Sequence, residues 1–221
     1  MQANYVQRLR LRFSKEGATR FISHLDVARA LERALNRAQL PLAYTQGYNP
    51  RPRMQFADAL PLGFTSNCEL ADIWLEEEMD PAQAKAQMRR KMPPGLVVHE
   101  VWEAPLDAPA MQASTVEATY VATLTDLVSR TTLQWRVDAL LAADSVERER
   151  RGKRYDLRPL VLSLETEEGD AGMLRLIMRL SLRPGEAGRP DEVLNALGIE
   201  PLDVHVQRTE IVLDDGVTGP A

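Results

Sequence analysis

Apolar and polar residues alternate from Arg8 to Phe13, with Leu9, Leu11 and Phe13 joined by Val6 on one face and Arg8, Arg10 and Arg12 opposite. A period of two over this length predicts a half-buried strand. Ser23-His-Leu-Asp26 then opens a helix: Ser23 can accept from a free amide, and Asp26 can reach back to complete a capping box. Leu25, Ala28, Leu31, Leu35 and Ala38 form its expected buried stripe, and Pro41 stops it. Tyr44–Phe64 is rich in turn residues and is expected to enclose a short strand near Met54–Ala57. A strand at Glu69–Glu76 follows. Asp80-Pro81 caps a second helix running to about Met92, and Leu96–Trp102 closes the series as another strand.

Strand, helix, strand, strand, helix, strand is the ferredoxin-like split βαβ order, with two right-handed crossovers. The order recurs after Ala104–Ser114, a stretch rich in proline and alanine. Strands are expected at Val116–Leu124, Val146–Arg151, Arg158–Glu165, Met173–Leu182 and Asp203–Leu213, and helices at Arg130–Ala143 and Asp191–Leu197. The expected fold is therefore α+β, two tandem ferredoxin-like (βαββαβ) units with antiparallel sheets and helices on one face. The units are placed at 1–103 and 115–213, with a linker at 104–114 and a mobile tail at 214–221. The second unit holds one strand too many for the simple pattern.

Composition narrows the function classes. The 221 residues carry a formal net charge of −5, which argues against general adhesion to nucleic acid and makes any such binding local. Locality is what the sequence offers: Met1–Phe56 holds ten Lys/Arg against three Asp/Glu. No apolar stretch is long enough to cross a bilayer, and the first residues lack a secretory h-region, so a cytoplasmic chain without membrane contact is expected. The single cysteine, Cys68, excludes an internal disulfide and any cysteine-only metal site, and it has no activating base beside it. His99 and His205 lack metal-ligand spacing, and no metal site is expected.

Three clusters hold the candidate chemistry. Arg29, Arg33 and Arg37 recur every four residues and share one helix face, either as a phosphate-binding row or as a solvated surface. Gln46-Gly-Tyr-Asn-Pro-Arg-Pro-Arg53 is a stiff bend in which Gly47 and Asn49 tolerate positive φ, while Arg51, Arg53, Tyr44 and Tyr48 offer charge and stacking to nucleotides. Glu147–Arg158 holds six Lys/Arg and three acids; it suits a charged hairpin edge, or a phosphate grip through residues such as Arg154 and Arg158. His24, at the helix start, is a weak candidate general base and otherwise structural. Phosphate-loop, kinase, Ser/His/Asp and HExxH patterns are absent, which shifts the balance toward binding.

The segments Phe13-Ser-Lys, Arg20-Phe-Ile-Ser-His-Leu-Asp26, Leu40-Pro-Leu-Ala-Tyr44, Gly47-Tyr-Asn-Pro50 and Ala59-Leu-Pro-Leu-Gly63 resemble the radical SAM-linked protein family, strongly over about Val6–Leu75. Arg154–Pro159 resembles a pattern in that family's second half. The resemblance implies a radical SAM protein as partner. S-adenosylmethionine and a 4Fe–4S cluster belong on that partner, because this chain lacks the three-cysteine motif that holds such a cluster.

The expectation is thus a non-catalytic accessory module that binds tRNA or rRNA through Arg20, Arg29, Arg33, Tyr48, Asn49, Arg51, Arg53, Arg154 and Arg158, with DNA not expected. Its rivals are a small metal-independent endoribonuclease using His24, and a protein–protein adaptor for the radical SAM subunit.

Overall fold

The computed structural model describes residues 5–124, 128–150, 152–169 and 172–217. The chain is an α+β protein whose described residues form mostly antiparallel sheet and four α-helices. It divides into two compact units. One runs to Thr115 and takes in the chain again from Leu213; the other spans Val116–Val212.

In the first unit, β1 (Gln7–Lys15) pairs antiparallel with β3 (Thr65–Leu75) on one side and β4 (Leu96–Ala104) on the other. The three-residue β2 (Met54–Phe56) pairs with β3, so the strand order is β4–β1–β3–β2. Leu9, Leu11 and Phe13 of β1 enter one buried cluster with Val27, Leu31 and Leu35 of α1 (His24–Arg37) and with Ala84 and Met88 of α2 (Pro81–Arg89). The first helix starts where its cap predicts: Ser23 Oγ accepts from Asp26 N–H at 3.2 Å and donates to the Asp26 carboxylate at 2.7 Å. Its buried stripe differs from expectation at the first turn. Leu25 is 67% exposed and Val27 takes the inward position, which sets the core arc at Val27, Leu31, Ala34 and Leu35. Gly95, between α2 and β4, needs its φ of +85°, and a Cβ there would meet Glu16 O at 2.7 Å.

The strand β3 begins at Thr65, four residues before the expected start, because its polar opening residues still pair with β1. A larger correction concerns β1 itself. As the middle strand it is covered on both faces, and Arg8 and Arg10 are 1% exposed. Asp72, opposite Arg10 on β3, serves both guanidinium groups. Arg8 Nε donates to Asp72 Oδ2 at 2.8 Å, while Arg10 Nε and Nη2 donate to Asp72 Oδ1 and Oδ2 at 2.7 and 3.0 Å. Arg8 also donates to the carbonyls of Ala108 (2.6 Å) and Pro109 (3.0 Å), so the segment expected as a linker is bonded back onto β1. Asp215, expected in a mobile tail, pairs with Arg10 at 2.6 Å through a side chain that is 2% exposed; residues 218–221 of that tail lie outside the described residues. Burial pulls the Arg10 guanidinium down, but the hydrogen bonds and charges of Asp72 and Asp215 outweigh it and hold Arg10 above its ordinary value.

In the second unit, β5 (Thr115–Leu124) pairs antiparallel with β9 (Leu174–Arg183) and lies beside β11 (His205–Leu213), while β8 (Val161–Glu168) pairs with the outer side of β9. Ala118, Tyr120, Ala122 and Leu124 alternate inward on β5, and Leu174, Leu176, Met178, Leu180 and Leu182 do so on β9. Leu133, Val137 and Leu140 are the buried residues of α3 (Arg130–Ala142), and Val193 and Leu194 those of the short α4 (Pro190–Ala196) with Pro190. A separate hairpin, β6 (Glu147–Arg150) and β7 (Lys153–Asp156), accounts for the surplus strand, and β10 (Glu186–Ala187) is a two-residue edge on β9. The strand expected from Arg158 starts instead at Val161, because Pro159 lies in a 3-10 turn at Arg158–Leu160.

Candidate nucleic-acid interface

The Gln46–Arg53 bend is closed at its base and tied to α1. Tyr44 bridges to Pro52, Thr45 N–H donates to Arg51 O at 2.8 Å, and Arg51 N–H donates to Thr45 Oγ1 at 3.1 Å. The Tyr44 hydroxyl donates to Asn36 Oδ1 on α1 at 2.8 Å. These bonds leave Gln46–Arg51 exposed, with Gly47 at φ +147° and Tyr48 fully accessible. They also bring the bend against the arginine face of the helix. Arg29, Glu32 and Arg33 from α1 and Asn49, Pro50 and Arg51 from the bend line one open groove of about 570 Å³.

The electrostatics of this groove are net positive. Among the described residues, Arg33 and Arg51 take part in no ion pair. Arg29 Nη1 pairs with Asp26 Oδ1 at 3.2 Å, but both side chains are about half exposed. Such a pair contributes about 0–1 kcal/mol and gives way readily to a competing phosphate. Glu32 is the one acid among the lining residues.

The other expected contacts go elsewhere. Arg53 lies over the rings of Tyr5 and Trp74, at 4.8 and 5.1 Å from their centroids, and Arg8 approaches Trp74 from 4.9 Å. This aromatic seat, invisible in the spacing of the bend, makes Arg53 a packing residue. Arg20 lies over Phe21 at 4.6 Å and is not among the groove's lining residues. Arg12, half exposed, pairs with Glu100 at 3.1 Å. Arg37 is not among the groove's lining residues and donates to Lys91 O at 2.8 Å. His24 packs edge-on against Phe56 with ring centroids 5.1 Å apart.

In the second unit, Arg154 is exposed on β7 with Glu149 at 3.8 Å. Arg158 donates to the carbonyls of Leu141 (3.2 Å) and Val161 (3.0 Å), so its charge serves local structure. Cys68 is buried. No helix among the described residues is long and apolar enough to cross a membrane.

Asp26 and Asp156 stand below the ordinary carboxylate range. The Ser23 hydroxyl, then Arg29, lower Asp26; the backbone N–H groups of Val146 and Arg158, at 2.8 and 2.9 Å, lower Asp156. A lowered carboxyl binds its proton less readily folded than unfolded, so acid favours the unfolded chain. The thermal midpoint should therefore hold steady above the ordinary carboxylate range and fall as pH drops below about 4. Asp156→Asn should flatten part of that fall, as read by circular dichroism melts across the range.

Together these features define an α+β protein that presents an open, arginine-lined groove between a helix and a rigid bend. Residues 8–190 match the family described as "Uncharacterized protein conserved in bacteria (DUF2344)", and the chain belongs to that family. That description names no radical SAM protein. A search of curated proteins returned no match. Among solved structures, the chain is similar in fold to a chain of a Cbf5–Nop10–Gar1 complex, with a TM-score of 0.51 and 11% identity over 95% of this chain and 50% of that one. Lower scores of 0.44 and 0.45 join it to the archaeal box H/ACA sRNP Nop10–Cbf5 complex (12% identity, 93% and 48% covered) and to an H/ACA RNP bound to a substrate RNA containing 2'-deoxyuridine (11%, 94% and 48%). The chain spans about half the length of the solved chains it matches.

Proposed function

We propose that this protein is a non-catalytic RNA-binding module whose ligand lies in the groove between α1 and the Gln46–Arg53 bend. The observation that carries this reading is the convergence of Arg29, Arg33 and Arg51 on one open groove, beside a fully exposed Tyr48. Guanidinium groups engage phosphate oxygens bidentately, and an exposed ring beside them gives a base a surface to stack on. Asn49 adds an amide with both donors and an acceptor at the groove wall. A bend held by backbone bonds and two prolines loses little freedom on binding, which favours affinity.

The strand orders β4–β1–β3–β2 and β11–β5–β9–β8 support reading both units as variants of the ferredoxin-like plan, the second interrupted by its extra hairpin. The resemblance of Phe13–Gly63 to radical SAM-linked proteins supports an accessory role beside such an enzyme, with the chemistry supplied by that partner.

Three phosphate contacts predict a log–log salt dependence of at least about −2 for single-stranded RNA. Fluorescence anisotropy of a labelled oligouridylate, titrated with potassium chloride, measures it. A flat response, or no binding in low salt, rules the reading out.

A further inference from the structure

The row on α1 does not end at Arg33. Arg37, anchored on Lys91 O, lines a second open groove of about 460 Å³ with Ala38, Gln39, Gln87, Arg90 and Lys91. Among those lining residues none is acidic, and Arg37, Arg90 and Lys91 take part in no ion pair among the described residues. Cations at helix C-termini compensate the helix dipole, which is the simplest account of them. Two helix ends carry only about one negative charge between them. Three cations exceed that by about two.

Gln39 supplies an independent observation. It follows the α1 cap residue Ala38 and has φ +56°, the one positive φ of a non-glycine residue among those described. Glycine is the residue that ends helices in this conformation without a Cβ penalty. A glutamine held there keeps an amide with two donors at the groove wall, at the expense of local backbone stability.

Arg29, Arg33 and Arg37 are spaced one helical turn apart on one face, and Arg29 to Arg37 spans about 12 Å along the axis. A chain of phosphates matches such a row better than an isolated anion does. We infer that the Arg37–Arg90–Lys91 groove is a second phosphate-binding site, and that a single RNA strand runs along α1 from the first groove into it. The inference rests on the first groove being an RNA site and adds the extent and direction of the bound strand.

Labelled oligouridylates of about four and about twelve nucleotides separate the two sites. The longer probe should show a salt slope near −4 and the shorter near −2. Replacing Arg37, Arg90 and Lys91 together with Gln should bring the longer probe's slope to about −2 and weaken it at least tenfold, leaving the shorter probe unchanged. Gln39→Gly should weaken the longer probe while raising the melting temperature, so the loss cannot be ascribed to misfolding. If the triple Gln variant leaves the longer probe's slope unchanged while an Arg29/Arg33/Arg51 variant reduces it, the second site is overturned and the first stands. If the parent binds neither probe, both fall. Displacement by oligoglutamate as effective as by unlabelled RNA would refute RNA as the occupant.

Discussion

Asp72→Asn should lower the stability of this protein by about 3–5 kcal/mol, the largest effect expected of any single substitution. Asp72 is wholly buried and is the carboxylate that Arg8 and Arg10 share. Neutralising it leaves two buried guanidinium groups with only Asp215 as a counter-charge. Desolvation of an uncompensated charge, rather than loss of one attraction, sets that magnitude. Urea unfolding followed by tryptophan fluorescence would report a lower midpoint with little change in slope. Asp26→Asn, at an exposed pair, is the matched control and should cost far less. A loss below about 1 kcal/mol at Asp72 would show that the buried cluster contributes little to folding.

The second large effect concerns the first groove. Arg29→Ala, Arg33→Ala and Arg51→Ala combined should weaken oligouridylate binding roughly a hundredfold, at about 1 kcal/mol per lost contact. The salt slope should fall by about 2 at the same time. None of the three side chains is buried, so the melting temperature should move little. Arg53→Ala makes the informative contrast. Its guanidinium sits over Tyr5 and Trp74, so it should lose stability with little direct effect on the salt slope. Equal losses of affinity from Arg53 and Arg51 would mean that the ligand does not distinguish the groove arginine from the one seated on the rings.

Much of the local structure was legible in residue order. Ser23 and Asp26 announced the start of α1, Asp80-Pro81 that of α2, and alternation marked β1 and β5. The groove was partly legible as well: four-residue spacing put Arg29 and Arg33 on one face, and the special residues of the bend marked Asn49 and Arg51. Arg8 and Arg10 were misread as a surface face for a definite reason. Alternation reports that two faces differ in polarity, not that the polar one meets water. The partner that neutralises them lies more than sixty residues away on β3, and Asp215 lies farther still. The contacts of Arg53 and Arg158 were hidden likewise, because an aromatic seat and a pair of backbone carbonyls leave no mark on local spacing.

By itself, residue order determined the helix caps, the strand periods, the stiffness of the Gln46–Arg53 bend and the concentration of positive charge near the N-terminus. Those properties depend on groups within about one helical turn or a few strand positions of each other. Tertiary structure alone decided which of those cations remain available. Whether a guanidinium faces solvent, a ring or a distant carboxylate depends on which strand lies beside it and what covers the sheet. Folding therefore turned one basic segment into two populations: Arg8 and Arg10 neutralised within the core, and Arg29, Arg33 and Arg51 left open to an anion.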